Sequence, residues 1–464
     1  MTETQPAAPE PEADDDDAFE LDREMVAAVV EAVHQGDRPA VLALIEDLHV
    51  ADLADLLEQI DGETRRRFLE MAWSDIDQEV LVEVEEGVRD DILEWLKPEQ
   101  IAEAAREFET DDVVYLLEDL DADQQRQVLE ALEPADRVAV ARSLTYPEYS
   151  AGRLMQTDFV KAPPFWTVGQ MIDFLRASAG ELPEQFYDIV VVDPAMKPMG
   201  TIPLSKIIGT RRPVTLDALM DEDFRTLHVE DAQEDVAYAF KQYHLVSAPV
   251  VDDDGRLVGV ITIDDAVEAL DDEAEEDLKR LGGVGDEEIS DRVWEITRQR
   301  FPWLGVNLLT AILASLVIAI FEGTIQQLVA LAVLMPIVAS MGGNAGTQTL
   351  TVAVRALATR DLTATNAMRV VTRETIVGFI NGVGFAVIMG VVAWLWFGDP
   401  LLGAVIGAAM VVNLLVAGLA GILIPIALDR VGADPALASG TFVTTVTDVV
   451  GFFAFLGLAA AVLL

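Results

Sequence analysis

The sequence predicts a multi-domain chain: an α-helical superhelix, then an α/β pair of repeated modules, then an α-helical membrane domain of five spans. Three observations carry that prediction. The 464 residues hold 81 acids against 31 bases and are nevertheless 51% hydrophobic, which no single soluble domain combines. The charge is confined to one part: from Thr297 onward seven acids meet seven arginines, so residues 1–296 carry the whole net charge of -50. Finally, the neutral part is cut into long charge-free runs, whereas the acidic part contains two internal repeats of different period.

In chain order, residues 1–19, with the run Asp14 to Asp17, read as an acidic disordered tail. Such a start is the opposite of a signal peptide's basic one. Residues 20–145 alternate short amphipathic stretches, apolar at i, i+3 and i+4, with Asp and Glu elsewhere. Ala51-Asp52-Leu53-Ala54-Asp55-Leu56-Leu57-Glu58-Gln59-Ile60-Asp61 matches Asp111-Asp112-Val113-Val114-Tyr115-Leu116-Leu117-Glu118-Asp119-Leu120-Asp121 at an offset of 60. Stacked helical hairpins in a superhelix follow. Over residues 146–270 β-branched runs take over: Val190-Val191-Val192-Asp193 then Gly200-Thr201-Ile202 returns as Pro249-Val250-Val251-Asp252 then Gly259-Val260-Ile261, at an offset of 59. Each copy reads as a helix followed by a hairpin. Residues 271–300 read as an acidic connecting helix containing Glu273-Ala274-Glu275-Glu276-Asp277, and residues 301–464 as the membrane domain.

The charge-free runs are Phe301 to Phe321, Gly323 to Val354, Thr375 to Gly398, Pro400 to Leu428, and Pro435 to Leu464 broken only by Asp448. Each exceeds the roughly 20 residues a helix needs to cross a bilayer. Arg298 and Arg300 precede the first span, Arg355, Arg360, Arg369 and Arg373 separate the second from the third, and Arg430 separates the fourth from the fifth. Alternate loops carry only Glu322 and Asp399, so the long N-terminal part is expected in the cytoplasm of a multi-pass plasma-membrane protein, with the C-terminus outside.

Absent cysteine removes disulfides, thiolate metal sites, iron–sulfur clusters and cysteine nucleophiles together. So acidic a surface repels duplex nucleic acid. No Walker A lysine motif, no HExxH and no Ser–His pairing marks an enzyme. Arginine outnumbers lysine 25 to 6 under a coat of acids, which fits a surface adapted to high salt.

Two places in the membrane domain call for chemistry. Asp448 is the 14th of 30 residues from Pro435 to Leu464, hence near mid-membrane. A lone carboxylate there costs at least roughly 2.5–3.5 kcal/mol unless it faces water, protein or a cation. Thr444, one turn earlier, offers a carbonyl beside it. The second place is Gly342-Gly343-Asn344-Ala345-Gly346, which with Pro336 reads as a non-helical, pore-lining stretch in which Asn344 and Gln348 are oxygen donors. Close packing of small residues is the competing explanation for these glycines.

Strand, the turn Asp253-Asp254-Gly255, strand, then a helix opening at Asp264-Asp265 resembles a CBS module (named for cystathionine β-synthase), with a degenerate first copy. Helical superhelix, CBS pair, acidic connector and five spans, in that order, resemble the MgtE family of magnesium channels over nearly the whole chain. The motifs that carry the resemblance are Tyr146-Pro147-Glu148-Tyr149-Ser150-Ala151-Gly152-Arg153-Leu154-Met155, Met341 to Gln348, Arg355-Ala356-Leu357-Ala358, and Asp434-Pro435-Ala436-Leu437-Ala438-Ser439-Gly440 leading to Thr444-Thr445-Val446-Thr447-Asp448. Thr441 departs from the proline of many such relatives, and His244 stands where some carry an acid. The resemblance implies a homodimer in the lipid bilayer, a pore between protomers lined by Asp448, and hydrated Mg2+ as the permeant ion. It points to Asp265, Glu268, Glu273, Glu276 and Asp277 as acids that bind regulatory Mg2+. Thr262 and Asp265 fit a CBS nucleotide pattern, so ATP is a further candidate ligand. Residue chemistry alone also admits an ion-coupled divalent-cation carrier or a membrane sensor that transports nothing.

Overall fold

The computed structural model describes residues 21–464 other than 107, 119, 181, 184, 286 and 288–292, with the side chains of all of these but 295 and 437–439. The expected acidic tail lies outside the described residues. The boundary between two compact units falls between Val267 and Glu268, and each unit is described by itself.

In the first unit, ten described helices run from Arg23 to Ser143. The offset-60 repeat is visible in what they bury. The helix Val50–Gln59 buries Leu53, Ala54, Leu56 and Leu57, and the helix Thr110–Glu118 buries Val113, Val114, Leu116 and Leu117. Each is followed by an aspartate that caps the next helix: Asp61 accepts from the amides of Glu63 and Thr64, and Asp121 from those of Asp123 and Gln124. Arg65 is buried because its guanidinium closes the first of these turns, donating to the carbonyls of Leu57 (2.8 Å) and Ile60 (3.2 Å).

Two three-stranded sheets follow, β1 (Lys161–Ala162), β2 (Asp188–Val192) and β3 (Pro198–Pro203), then β4 (Leu227–His228), β5 (Ser247–Val251) and β6 (Leu257–Thr262). In each, the first strand pairs parallel and the third antiparallel to the middle one. Val191 opposes Gly200 just as Val250 opposes Gly259, with a register shift directly after each. The copies also interlock: Asp221, ahead of the second copy, bridges to Thr201 of the first, while Gln156, ahead of the first, bridges to Val260 of the second. A Cβ at Gly259 would lie 2.5 Å from the Met155 sulfur, so the close approach of that segment requires glycine.

One helix, Ile263–Gly282, continues from the end of β6 across the unit boundary. It stops at Gly282, and the next helix starts at Val293, so the acidic connector is not one helix through residue 300. The second unit holds five helices long and apolar enough to cross a membrane: the first span (Val293–Ile320), second (Ala330–Ala358), third (Ala367–Phe397), fourth (Pro400–Arg430) and fifth (Pro435–Val462). The fourth is the most enclosed, with half of its most apolar window buried, whereas the first is 6% buried by the same measure.

The expected break around Gly342 to Gly346 is absent: the second span is helical throughout, Pro336 included. Each glycine costs roughly 1 kcal/mol in a helix. Freeing backbone N–H and C=O groups in hydrocarbon costs several kcal/mol each, so the helix wins.

Candidate functional site

Asp448 stands 14th of the 28 residues of the fifth span and is partly buried. Among the described residues no hydrogen bond or ion pair holds its carboxylate. Around it the hydroxyls turn to the backbone: Thr444 donates to the carbonyls of Gly440 (3.0 Å) and Thr441 (3.1 Å), Thr445 to that of Thr441 (2.6 Å), and Thr447 to that of Thr444 (3.0 Å). These bonds use the hydroxyl hydrogens within the fifth span and leave the oxygen lone pairs available, whereas the carboxylate makes no such bond. Thr441, where the resemblance leads one to expect proline, ties the fifth span to the first by donating to Asn307 Oδ1 at 2.7 Å.

The second span meets the fifth along its small residues. A Cβ on Gly346 would lie 2.5 Å from Val443 Cγ1, and one on Gly343 would lie 3.9 Å from Thr444 Cγ2. Gly342 faces Asn413 of the fourth span, where a Cβ would fall 2.3 Å from Asn413 Nδ2. Gly342 and Gly346 are thus buried packing positions, not the walls of an open turn. Gly343 and Gly346 both approach the residues around Asp448, Gly343 at Thr444 and Gly346 at Thr447, whose Cγ2 would lie 3.7 Å from an added Cβ. Asn344 and Gln348 lie on the exposed side of the second span, and Asn344 donates to Ser340 Oγ at 3.4 Å.

On the helix Ile263–Gly282, Glu276 is already engaged: Arg280 pairs with it and also reaches Asp434 Oδ2 at 2.7 Å. Asp434 in turn caps the fifth span by accepting from the Ala436 amide at 2.7 Å. Leu281 packs beside Leu350, Val354, Ala436 and Val443. Arg280 was not among the sequence candidates. Its signal is only that it is the last cation of an acidic helix.

A further acidic cluster, also missed, lies within the first unit. Asp111 is 8% exposed, and neither carboxylate oxygen has a hydrogen-bond partner among the described residues. Burial and then the charges of Asp265, Asp112 and Glu109 hold its carboxyl well above the usual range. Glu109 is pushed up to about 7, first by burial and then by Asp265 and Asp264. Asp265 is raised to about 6 by burial and Asp264, against the opposing pull of Thr262. Thr262 donates through both its amide (3.2 Å) and its hydroxyl (2.9 Å) to Asp265, a cap at the start of the helix. Of the predicted acids, Asp265 is therefore brought to a cluster. Glu268, Glu273 and Asp277 follow it along the same helix. Among the described residues no three acids converge closely enough to cage an ion, so hard oxygen donors are gathered here without a finished coordination shell.

The sequence profile of divalent cation transporters of the MgtE type matches residues 335–458, that of the MgtE intracellular N domain matches 48–149, and that of the CBS domain matches 216–272, the second copy. A magnesium transporter, MgtE, of Enterococcus faecalis is 35% identical over 317 residues, 68% of this chain and 70% of its own. The one from Thermus thermophilus is 31% identical over 464 residues, 96% and 99% of the two chains. Among solved structures, the cytosolic domain of the Mg2+ channel MgtE in complex with ATP is 28% identical, covering 53% of this chain and all of that one at a TM-score of 0.49.

Proposed function

The chain belongs to the MgtE family of magnesium transporters, and we propose that it is a passive Mg2+ channel, closed by cytosolic Mg2+, whose pore lies between two protomers at Asp448. The observation that carries this reading is the unpaired carboxylate in the middle of the fifth span, beside threonines whose hydroxyl hydrogens are bonded within their own helix and whose oxygens remain available. Two symmetry-related carboxylates supply about the charge of one divalent ion. Magnesium sheds its water reluctantly, so a hydrated ion held through its water shell suits a site with one carboxylate per chain.

Gating requires that the closed form bind Mg2+ more tightly than the open one. The acids at Glu109, Asp111 and Asp265 support such a difference: they repel one another as they stand, and a cation that draws them together replaces repulsion with attraction. Glu268, Glu273, Glu276 and Asp277 are further acids on the connecting helix. The ties of Arg280 to Glu276 and Asp434 give that helix a grip on the N-terminus of the pore-lining span. ATP is a further candidate ligand on the Thr262 and Asp265 pattern, although these two side chains here bond to each other. The positive-inside pattern supports a cytoplasmic N-terminus.

The test is Mg2+ flux into proteoliposomes, with and without hexammine cobalt as a mimic of the hydrated ion. We expect block in the wild type, and loss of most flux in an Asp448→Ala protein that still assembles as a dimer. Wild-type flux and block in that variant would remove Asp448 from the pathway.

A further inference from the structure

We propose that Asn413 is a positioning residue that seats the pore-lining fifth span against the second span; this rests on the pore reading of Asp448 given above. Asn413 is fully buried in the fourth span. Its Nδ2 donates to the Val338 carbonyl of the second span at 2.7 Å. The same amide fills the space above two glycines on two different helices. A Cβ on Gly342 of the second span would lie 2.3 Å from Nδ2, and a Cβ on Gly451 of the fifth would lie 2.8 Å from Nδ2 and 3.0 Å from Oδ1. One side chain therefore fixes how closely three helices approach.

Gly451 lies three residues beyond Asp448, about 4.5 Å further along the helix axis. Residues three apart share a helix face, so the depth and rotation of the Asp448 carboxylate follow from how Gly451 sits on the amide. The other half of that amide makes packing alone an insufficient explanation. Asn413 Oδ1 is buried with no hydrogen-bond partner among the described residues, which is costly in an apolar interior. A leucine of similar volume would fill the space without that penalty, so what distinguishes asparagine here is the directed Nδ2 bond to the second span. It acts through Gly451 on Asp448 and touches no ion.

The experiment uses the full chain in proteoliposomes and reads two quantities: the hexammine cobalt concentration that half-blocks Mg2+ flux, and the seat of the fifth span itself. The chain has no cysteine, so an introduced Gly343→Cys/Thr444→Cys pair reports that seat by oxidative crosslinking whether or not ions pass. Asn413→Leu is expected to shift the half-blocking concentration about tenfold and to lower crosslinking several-fold in protein that elutes as the wild type does. Gly451→Ala should lower flux alone and recover most of it with Asn413→Ala, because the smaller side chain leaves room for the added methyl. If Gly451→Ala does not fold, Asn413→Ala, which only removes atoms, is read by the same two quantities. Unchanged block and unchanged crosslinking in Asn413→Leu, or a double variant no better than Gly451→Ala, would overturn the proposal. Loss of the channel reading itself has a different signature: Asp448→Ala would then keep wild-type flux while the crosslinking result stands.

Discussion

Asp111 is a buried carboxyl with no hydrogen-bond partner among the described residues, and the consequences of its cluster can be worked out with their sign. Glu109 and Asp265 titrate near 7 and 6 in the folded chain, above the ordinary values of 4.5 and 3.8, because burial and neighbouring acids penalise the charged forms. The folded state thus binds more protons than the unfolded one. That contribution to stability is fully present below about pH 4 and is lost as pH rises through about 6 to 7. With Mg2+ chelated, the melting temperature should fall as pH rises from about 4 to about 7, and millimolar Mg2+ should flatten the fall by taking the place of the protons. Asp111→Asn should raise the midpoint at pH 8 by roughly 2–4 °C, the shift that about 1 kcal/mol produces in a unit of this size. A calorimetric series over pH with and without Mg2+ checks both, and identical curves in wild type and variant would show that the cluster is electrostatically silent. The cluster was illegible in the sequence for a definite reason. Asp111 sits in a repeat whose equivalent position is Ala51, so it read as one more surface acid, and only the fold brings it to Asp265.

At the scale of elements, what was legible had a period. Apolar positions at helical spacing gave the superhelix, and the offset-60 match placed the same buried positions and the same capping aspartates in both copies. The offset of 59 gave two sheets of one topology. Charge-free length gave the five spans. Contacts between elements distant in sequence had no period to betray them. Glycines 342 and 346 looked like helix breakers because a sequence shows the missing Cβ but not the Asn413 or Val443 side chain that occupies its place. The same limit hid the tie from Arg280 to Asp434, which joins the connecting helix to the cap of the fifth span. Arg280→Gln removes the ion pairs and leaves the cap. Only the Asp434 pair joins the two helices, and a partly exposed pair is worth at most about 1 kcal/mol, so the Mg2+ midpoint of gating should move about fivefold or less, with conductance of the open pore unchanged. Single-channel recording separates the two, and altered conductance at an unaltered midpoint would place Arg280 in the pathway instead of the linkage.

For the whole molecule, the proposed function asks the acidic N-terminal part to serve both solubility in high salt and sensing of Mg2+. A full switch from 1:99 to 99:1 needs about 5.5 kcal/mol of differential binding, more than weak surface sites supply singly. Several must act together, and neutralising Glu276 and Asp277 should make the Mg2+ dependence less steep without abolishing it, as a magnesium series at fixed high potassium chloride would reveal. Equal steepness and midpoint would leave those two acids to solubility alone. The central claim is that ions cross passively and that cytosolic Mg2+ closes the way. Patch recording of the reconstituted full chain with no proton or sodium gradient, while Mg2+ on the cytosolic face is stepped from zero to millimolar, tests it most directly. The account predicts Mg2+ currents that persist without a coupling gradient and decline as cytosolic Mg2+ rises. Currents that vanish when the gradients are removed, or that ignore cytosolic Mg2+, would contradict it.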